Sequence, residues 1–369
     1  MPYLFSALTR LSPLSLVRLR DLLEDRHLVE GLRRGDRIPG LHPSLSKALA
    51  KVDWKACEQE DRRAEKNGVL ILGWDDPRYP EGLRSLSAPP PALYLLGRPE
   101  PLVGPAVAIV GSRLSTVYGQ NVARMLGQDL ALAGLGVVSG LARGVDTAAH
   151  EGSLAAPGRA VAVLGTGIDV PYPRENEGLL RRIVEAGGAV VSELPPGTPP
   201  APRNFPMRNR VIATLSWAVL VVEATERSGA LITARFALET GREVFAVPHN
   251  ITSRTGIGPN TLIQKGAKLI QRAQDVLDEL PTHLSCRLQH FGTLFPGGEV
   301  GQSSLSDLAR RVLKILRPDE GLGLDALCSA SGLGAPEMLA GLLDLQMAGL
   351  CVELPGARYA LKRPTKESR

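Results

Sequence analysis

Residues 107–113, Val107-Ala108-Ile109-Val110-Gly111-Ser112-Arg113, set an apolar run against an abrupt polar turn led by glycine. Consecutive apolar positions leave no polar face, so the strand they form is expected to be covered on both sides, as in a parallel sheet between helices. The same pattern recurs downstream. Val137 to Ser139, Ala160 to Leu164, Ala189 to Ser192, Ala218 to Val222 and Val244 to Val247, with a short run at Lys268 to Ile270, alternate with helical patterns between Pro105 and Leu280. Repeated βα units predict an α/β fold, a Rossmann-like, mostly parallel sheet with its ligand at the carboxyl ends of the strands.

The turns at those ends carry the candidate chemistry. Gly111, Ser112 and Arg113 precede a helix running to about Ala133, where a glycine allows close backbone approach, helix N–H groups attract an anion and arginine offers a bidentate fork. Similar glycine-bearing segments follow: Ser139 to Asp146 with Gly140 and Arg143, and Gly165-Thr166-Gly167-Ile168-Asp169. Several such turns at one sheet edge predict a shared concave site. Tyr172-Pro173-Arg174-Glu175-Asn176 and Asn204 to Arg210 place Phe205 beside Arg208, Asn209 and Arg210, the combination that base stacking and phosphate neutralisation demand. Ser228, Gly229 and Thr233 start another helix, a second expected anion site, and Lys265 follows the Gly256 to Asn260 loop. Arg208 or Arg210 has an alternative reading as a buried partner of Glu223 or Glu226. Asp146, four residues before His150, reads as a cap or dipole partner rather than as an acid–base pair. The full G-x-G-x-x-G and Walker patterns are absent, which disfavours a dinucleotide or nucleoside triphosphate.

Around this block the chain divides by composition. Residues 1–66 read as a small helical domain, with segments Leu14 to Leu23 and Ser44 to Val52 broken by Gly31, Gly35, Pro39 and Pro43. Residues 67–285 form the Rossmann-like domain with its lead-in, and 286–304, containing Pro296-Gly297-Gly298 and Ser303-Ser304, a linker. Residues 305–362 give three helices and a hairpin turning at Pro355-Gly356, a winged-helix pattern, and 363–369 a basic tail. At 369 residues with 44% hydrophobic and 22% charged residues the chain has the composition of a folded multidomain protein. No apolar run or signal-peptide core points to a membrane, and the four cysteines have no metal-ligand spacing, so a cytoplasmic protein with reduced thiols and no cofactor or metal is expected. The net charge of +5 suits a polyanionic partner, and residues 104–128 and 194–222 contain arginines but no Asp or Glu.

Taken in order, Val107 to Arg113, Ser139 to Asp146 with His150, Leu164 to Asp169 with Tyr172-Pro173, Phe205 to Arg210 and Ser228 to Ala234 closely resemble the DNA-processing protein A (DprA/Smf) family. The resemblance spans roughly Val69 to Leu280. It implies single-stranded DNA binding in a Rossmann-fold pocket, homodimerisation through that domain and loading of the RecA recombinase during natural transformation, without turnover. It also implies a helical, SAM-like N-terminal module and a winged-helix C-terminal one. Carried over as DNA contacts are Arg113, Arg174 and the Phe205 to Arg210 segment. Where the family commonly has glycine after Val-Pro, this chain has His249.

Two other functions compete. A nucleoside monophosphate hydrolase of related fold would need a Pro-Gly-Gly-x-Gly-Thr loop, and Arg227 to Thr233 lacks those glycines. A winged-helix transcription factor would need groove-reading cations, yet Pro336 to Met347 holds Glu337 and Asp344 and no Arg or Lys. That module is therefore expected to contact protein, or DNA only weakly through Arg358, Lys362 and Arg363. With aromatic residues at 4% of the chain, phosphate neutralisation by Arg113, Arg174, Arg208 and Arg210 is expected to dominate affinity.

Overall fold

A computed structural model of the chain describes residues 3–11, 17, 23, 25–34, 36, 41–282, 284, 306–316, 321–347, 351–354 and 358–361. The expected helix at Leu14 to Leu23, most of which is not covered, the linker glycines, the Pro355-Gly356 turn, Cys286 and the basic tail lie outside the described residues. The chain forms two compact units, residues 1–291 and 292–369.

The first unit is organised by a nine-stranded sheet: β1 (Leu70–Gly73), β2 (Ala92–Gly97), β3 (Ala106–Val110), β4 (Gly136–Ser139), β5 (Ala160–Val163), β6 (Ala189–Ser192), β7 (Ala218–Val221), β8 (Glu243–Ala246) and β9 (Lys268–Leu269). Their order is β1-β2-β6-β5-β4-β3-β7-β8-β9, and β3 to β9 run parallel to one another. Alternation along each strand feeds two cores: Ala106, Ala108 and Val110 of β3 face one apolar cluster, Val107 and Ile109 the other. Helices Val117–Leu132 and Val145–Ser153 contribute Leu126, Leu130 and Ala149 to the second cluster. Helices Asn204–Thr214 and Gly229–Glu239 contribute Val211, Ile212, Ala234 and Ala237 to the first.

The parallel strands fall where the apolar runs placed them, with ends differing by about one residue. β1 and β2 were not anticipated. They pair antiparallel with each other, and β2 pairs antiparallel with β6, extending the sheet beyond its βα units. Their sequences lie on either side of Pro89-Pro90-Pro91, whose composition reads as a separator. The N-terminal helical segment shares the core of this sheet edge. Phe5, Leu8, Leu45 and Ala64 lie in the same cluster as Ile71, Leu93 and Leu95, and buried Tyr94 of β2 donates to Asp61 Oδ1 of helix Trp54–Lys66 at 3.2 Å. The packing unit therefore runs through residue 66 without a break.

In the second unit, helix Asp307–Leu313, strand β10 (Leu322–Gly323), helices Leu324–Ser331 and Ala335–Met347, and strands β11 (Cys351–Leu354) and β12 (Arg358–Leu361) follow in the order of a winged helix. Leu327, Met338, Leu342, Leu345 and Tyr359 form its core, and Gly332 at φ 68° ends the second helix in the left-handed conformation that glycine tolerates best. Met338, Leu342 and Leu345 face inward from the third helix, which leaves Glu337 and Leu339 on its exposed side.

Candidate nucleic-acid interface

The chain order β3, β4, β5, β6 proceeds in one direction across the sheet, and β7, β8, β9 in the other, so the topological switch point lies between β3 and β7. Nucleotides in such folds bind there, against the N-terminus of the first helix. Here that place is filled from within. Glu223, two residues past the end of β7 and fully buried, accepts from Thr116 N at 2.9 Å and from Thr116 Oγ1 at 2.6 Å, at the cap of helix Val117–Leu132. Thr255 Oγ1 donates to the same carboxylate at 3.2 Å, and His249 Nε2 lies 3.6 Å from it. Gly119 is the reason the carboxylate fits, since a Cβ there would collide with it. Gly111 likewise serves packing: a Cβ would stand 2.6 Å from Val145 Cγ2 and 2.9 Å from the Glu223 carbonyl. Glu223 thus occupies the N-terminus of helix Val117–Leu132 and Gly111 serves packing, while Arg113 of the same turn lines the neighbouring cleft. Ser112 N donates to Glu223 O at 2.7 Å and is committed to the same closure. His249 points inward, with Tyr118 edge-on at 5.2 Å, and its ring is almost fully covered rather than shaping an open rim.

The open site lies beside this, over the ends of β3, β4 and β5. Arg113, Arg143 and Arg208 line a cleft together with Tyr172, Phe205, Pro173, Ala142, Gly140 and Gly165. The Arg113 guanidinium sits 4.9 Å above the centre of the Phe205 ring, and the Tyr172 and Phe205 rings are 5.5 Å apart at 40°. Gly165 makes room for Phe205, because a Cβ would stand 2.9 Å from Cδ1. Arg208 forms the floor. It is 5% exposed, donates through Nη1 to the carbonyls of Gly140 and Val163, and through Nε to Asn209 Oδ1 at 3.1 Å. Burial, reinforced by Arg113 and opposed by Asp146, pulls its pKa down to about 10, leaving it charged at neutral pH. A Cβ at Gly140 would overlap the Arg208 guanidinium, so any side chain there would displace that group from the floor. Arg143 is exposed and paired with Glu175, Nη2 to Oε2 at 2.8 Å.

Several expected contacts lie elsewhere. Arg210 is 5% exposed, with Nη1 donating to Ala88 O at 2.8 Å and Nη2 paired with Glu193. It is a buried ion pair with a different acid from the two considered, and it faces away from the cleft lining. Asn176 and Asn209 are buried connectors: Asn176 Nδ2 donates to Leu141 O at 2.8 Å and Asn209 Nδ2 to Gly229 O at 3.1 Å. Ser228 caps its own helix by accepting from Ala230 N at 3.3 Å, and Thr233 is buried in that helix. Ser228, Gly229 and Thr233 are not among the cleft residues, nor is Lys265, which is exposed after helix Ile257–Gln264. Arg174, next to Pro173, is exposed on a short 3-10 turn. Arg124, from the acid-free stretch, is paired with Glu151 at 2.6 Å.

Tyr172 and Ala142 reach the cleft from within the two segments that the sequence pattern marks, Tyr172 to Asn176 and Ser139 to Asp146. His150 is buried and neutral, its pKa lowered to about 3 by burial and then by Arg208. Among the described residues no cluster of His, Cys, Asp or Glu is arranged to hold a metal, and no helix is long and apolar enough to cross a membrane.

These features define a Rossmann-like protein whose dinucleotide crevice is occupied by its own glutamate and whose open strand-end site is a cationic cleft with aromatic walls. Comparison with known proteins specifies the family. The model for DNA recombination-mediator protein A matches residues 70–281 and that for the DprA winged helix domain residues 299–357, so the chain belongs to the DprA/Smf family. It is 38% identical to protein Smf of Escherichia coli over 79% of this chain and 78% of that protein, and 42% identical to DNA processing protein DprA of Bacillus subtilis over 67% and 79%. The crystal structure of DNA processing protein A from Streptococcus pneumoniae superposes with a TM-score of 0.64 at 33% identity, covering 77% of this chain and 99% of that one. A structure of the Helicobacter pylori protein, described for its single-stranded DNA binding mode, gives 0.52 at 28% identity, covering 60% and 96%.

Proposed function

We propose that the cleft over β3, β4 and β5 binds single-stranded DNA, and that the chain is a recombination mediator in the cytoplasm. In this reading it protects incoming strands and loads RecA onto them during natural transformation, acting as a homodimer through its Rossmann-like domain and without catalysis. The observation that carries the reading is the convergence of three guanidinium groups and two aromatic rings in one open cleft, beside a nucleotide crevice that Glu223 fills. Arginines neutralise phosphates, and a base can lie on Tyr172 or Phe205 only when it has left a duplex stack. Family membership and the relative described for its single-stranded DNA binding support the same assignment.

The cations available to a strand are Arg113, Arg143 and Arg208 of the cleft and exposed Arg174 outside its lining beside Pro173, with Arg210 removed from the set and Arg143 added. Four neutralised phosphates give a log–log salt slope of roughly −3, or about 50-fold weaker binding between about 50 and 200 mM salt. Fluorescence anisotropy of labelled oligo-dT across a salt series checks this, with matched duplex as the comparison. A slope near zero, or a preference for duplex, contradicts the assignment.

A further inference from the structure

Beneath the cleft lies a buried carboxylate that is not among its lining residues. Asp146, 6% exposed, opens helix Val145–Ser153, and its Oδ2 accepts from Gly140 N at 3.1 Å and Ala142 N at 3.4 Å. Between those donors Leu141 has φ 54°, a left-handed conformation that a branched side chain rarely adopts. The other polar groups of the loop are also held, Leu141 O by Asn176 and Ala142 O by Thr147 Oγ1 at 2.7 Å. Gly140 links the acid to the cleft floor, its N–H bonded to Asp146 and its carbonyl to Arg208 Nη1.

We propose that Asp146 is a positioning residue for the DNA cleft: it fixes the Gly140–Arg143 turn and acts as the internal counter-charge of Arg208, holding that cation ready until a phosphate arrives. The inference rests on the single-stranded DNA reading of the cleft. The charged groups facing Arg208 are Arg113 from the turn after β3 and Asp146 from the helix after β4, with neutral His150 one turn further along that helix. Asp146 is therefore the carboxyl group set against the Arg208 guanidinium, on the far side of Gly140; burial pushes its pKa up and Arg208 pulls it back down. A carboxylate that merely braced the turn would be replaceable by any acceptor of similar shape. One that balances charge leaves, on its removal, a buried cation that an external anion must satisfy.

The test compares wild type with Asp146→Asn, which keeps an acceptor oxygen and removes the charge, by thermal unfolding in increasing inorganic phosphate at constant ionic strength. Phosphate is expected to stabilise the variant with an apparent dissociation constant about tenfold lower than for wild type, the gain of roughly one charge-assisted contact. That gain is expected to vanish in Asp146→Asn/Arg208→Met. Equal phosphate dependence in wild type and Asp146→Asn overturns the inference. Should Asp146→Asn fail to fold, the double variant decides: a folded protein on removing Arg208 as well supports charge balance, and no recovery overturns it. The DNA reading fails separately, if Arg208→Ala binds oligo-dT as wild type does.

Discussion

Replacing Arg113 and Arg208 together with alanine is expected to weaken oligo-dT binding by roughly a hundredfold, with a salt slope shallower by about 1.4. Each guanidinium offers donors able to pair with phosphate oxygens, Arg208 beyond those committed to the floor, and each also shapes the cleft: Arg113 lies over Phe205, and Arg208 closes the floor against Gly140 and Val163. The variant also loses stability, because Asp146 is left without its cation and two carbonyls without their donor. Affinity must therefore be measured at a temperature where circular dichroism shows a folded protein. Undiminished binding under those conditions would mean that the DNA lies outside this cleft.

Arg210→Met is expected to act oppositely, on the fold rather than on DNA. The Arg210–Glu193 pair is buried on both sides, with side chains 6% and 9% exposed, and Arg210 also satisfies Ala88 O ahead of the Pro89-Pro90-Pro91 segment. Removing one member of such a pair costs about 3–5 kcal/mol, because the remaining charge stays buried. Burial already pushes the Glu193 carboxyl up, against the pull of Arg210. In the variant the native state holds a proton that the unfolded chain releases, so stability falls as pH rises and is partly recovered on acidification from neutral. Denaturant titrations at two pH values measure this. Affinity per folded molecule should stay within about twofold, since Arg210 does not line the cleft. A stable variant with lost affinity would restore Arg210 to the DNA site.

The two arginines, separated by one residue, are where sequence reasoning reaches its limit. Both lie in a stretch free of Asp and Glu, yet Glu193, just before that stretch, turns back to meet Arg210 while Arg208 points over β4 and β5. Helical geometry separates residues i and i+2 by about 200°, so one can line the cleft only if the other faces elsewhere. The decisive fact was that residues 204–214 form a helix, which the Asn204-Phe205-Pro206 start and the short apolar repeat did not announce. The parallel strands were legible because burial on both faces requires unbroken apolar runs. β1 and β2 were not, since a proline-rich interval conceals their antiparallel pairing. In the sequence Glu223 is simply an acid close to arginines. Its insertion under Thr116, more than a hundred residues upstream, depends on the β3–β7 adjacency that the strand order creates. Arg113 and Arg143 stand in the glycine-bearing turns after β3 and β4, and Phe205 and Arg208 in the acid-free segment after β6, so the sequence marks the segments that line the cleft even where it does not say which side chain faces it.

The central claim is that a single strand crosses this cleft with a base against its aromatic wall. Photo-crosslinking of 5-iodouracil-substituted oligonucleotide to the full chain, followed by mass spectrometric mapping, tests it most directly. The expected adducts are on Tyr172 and Phe205, the two rings 5.5 Å apart beside Arg113. Adducts confined to the winged-helix residues 307–361, with none on Tyr172 or Phe205, would contradict it.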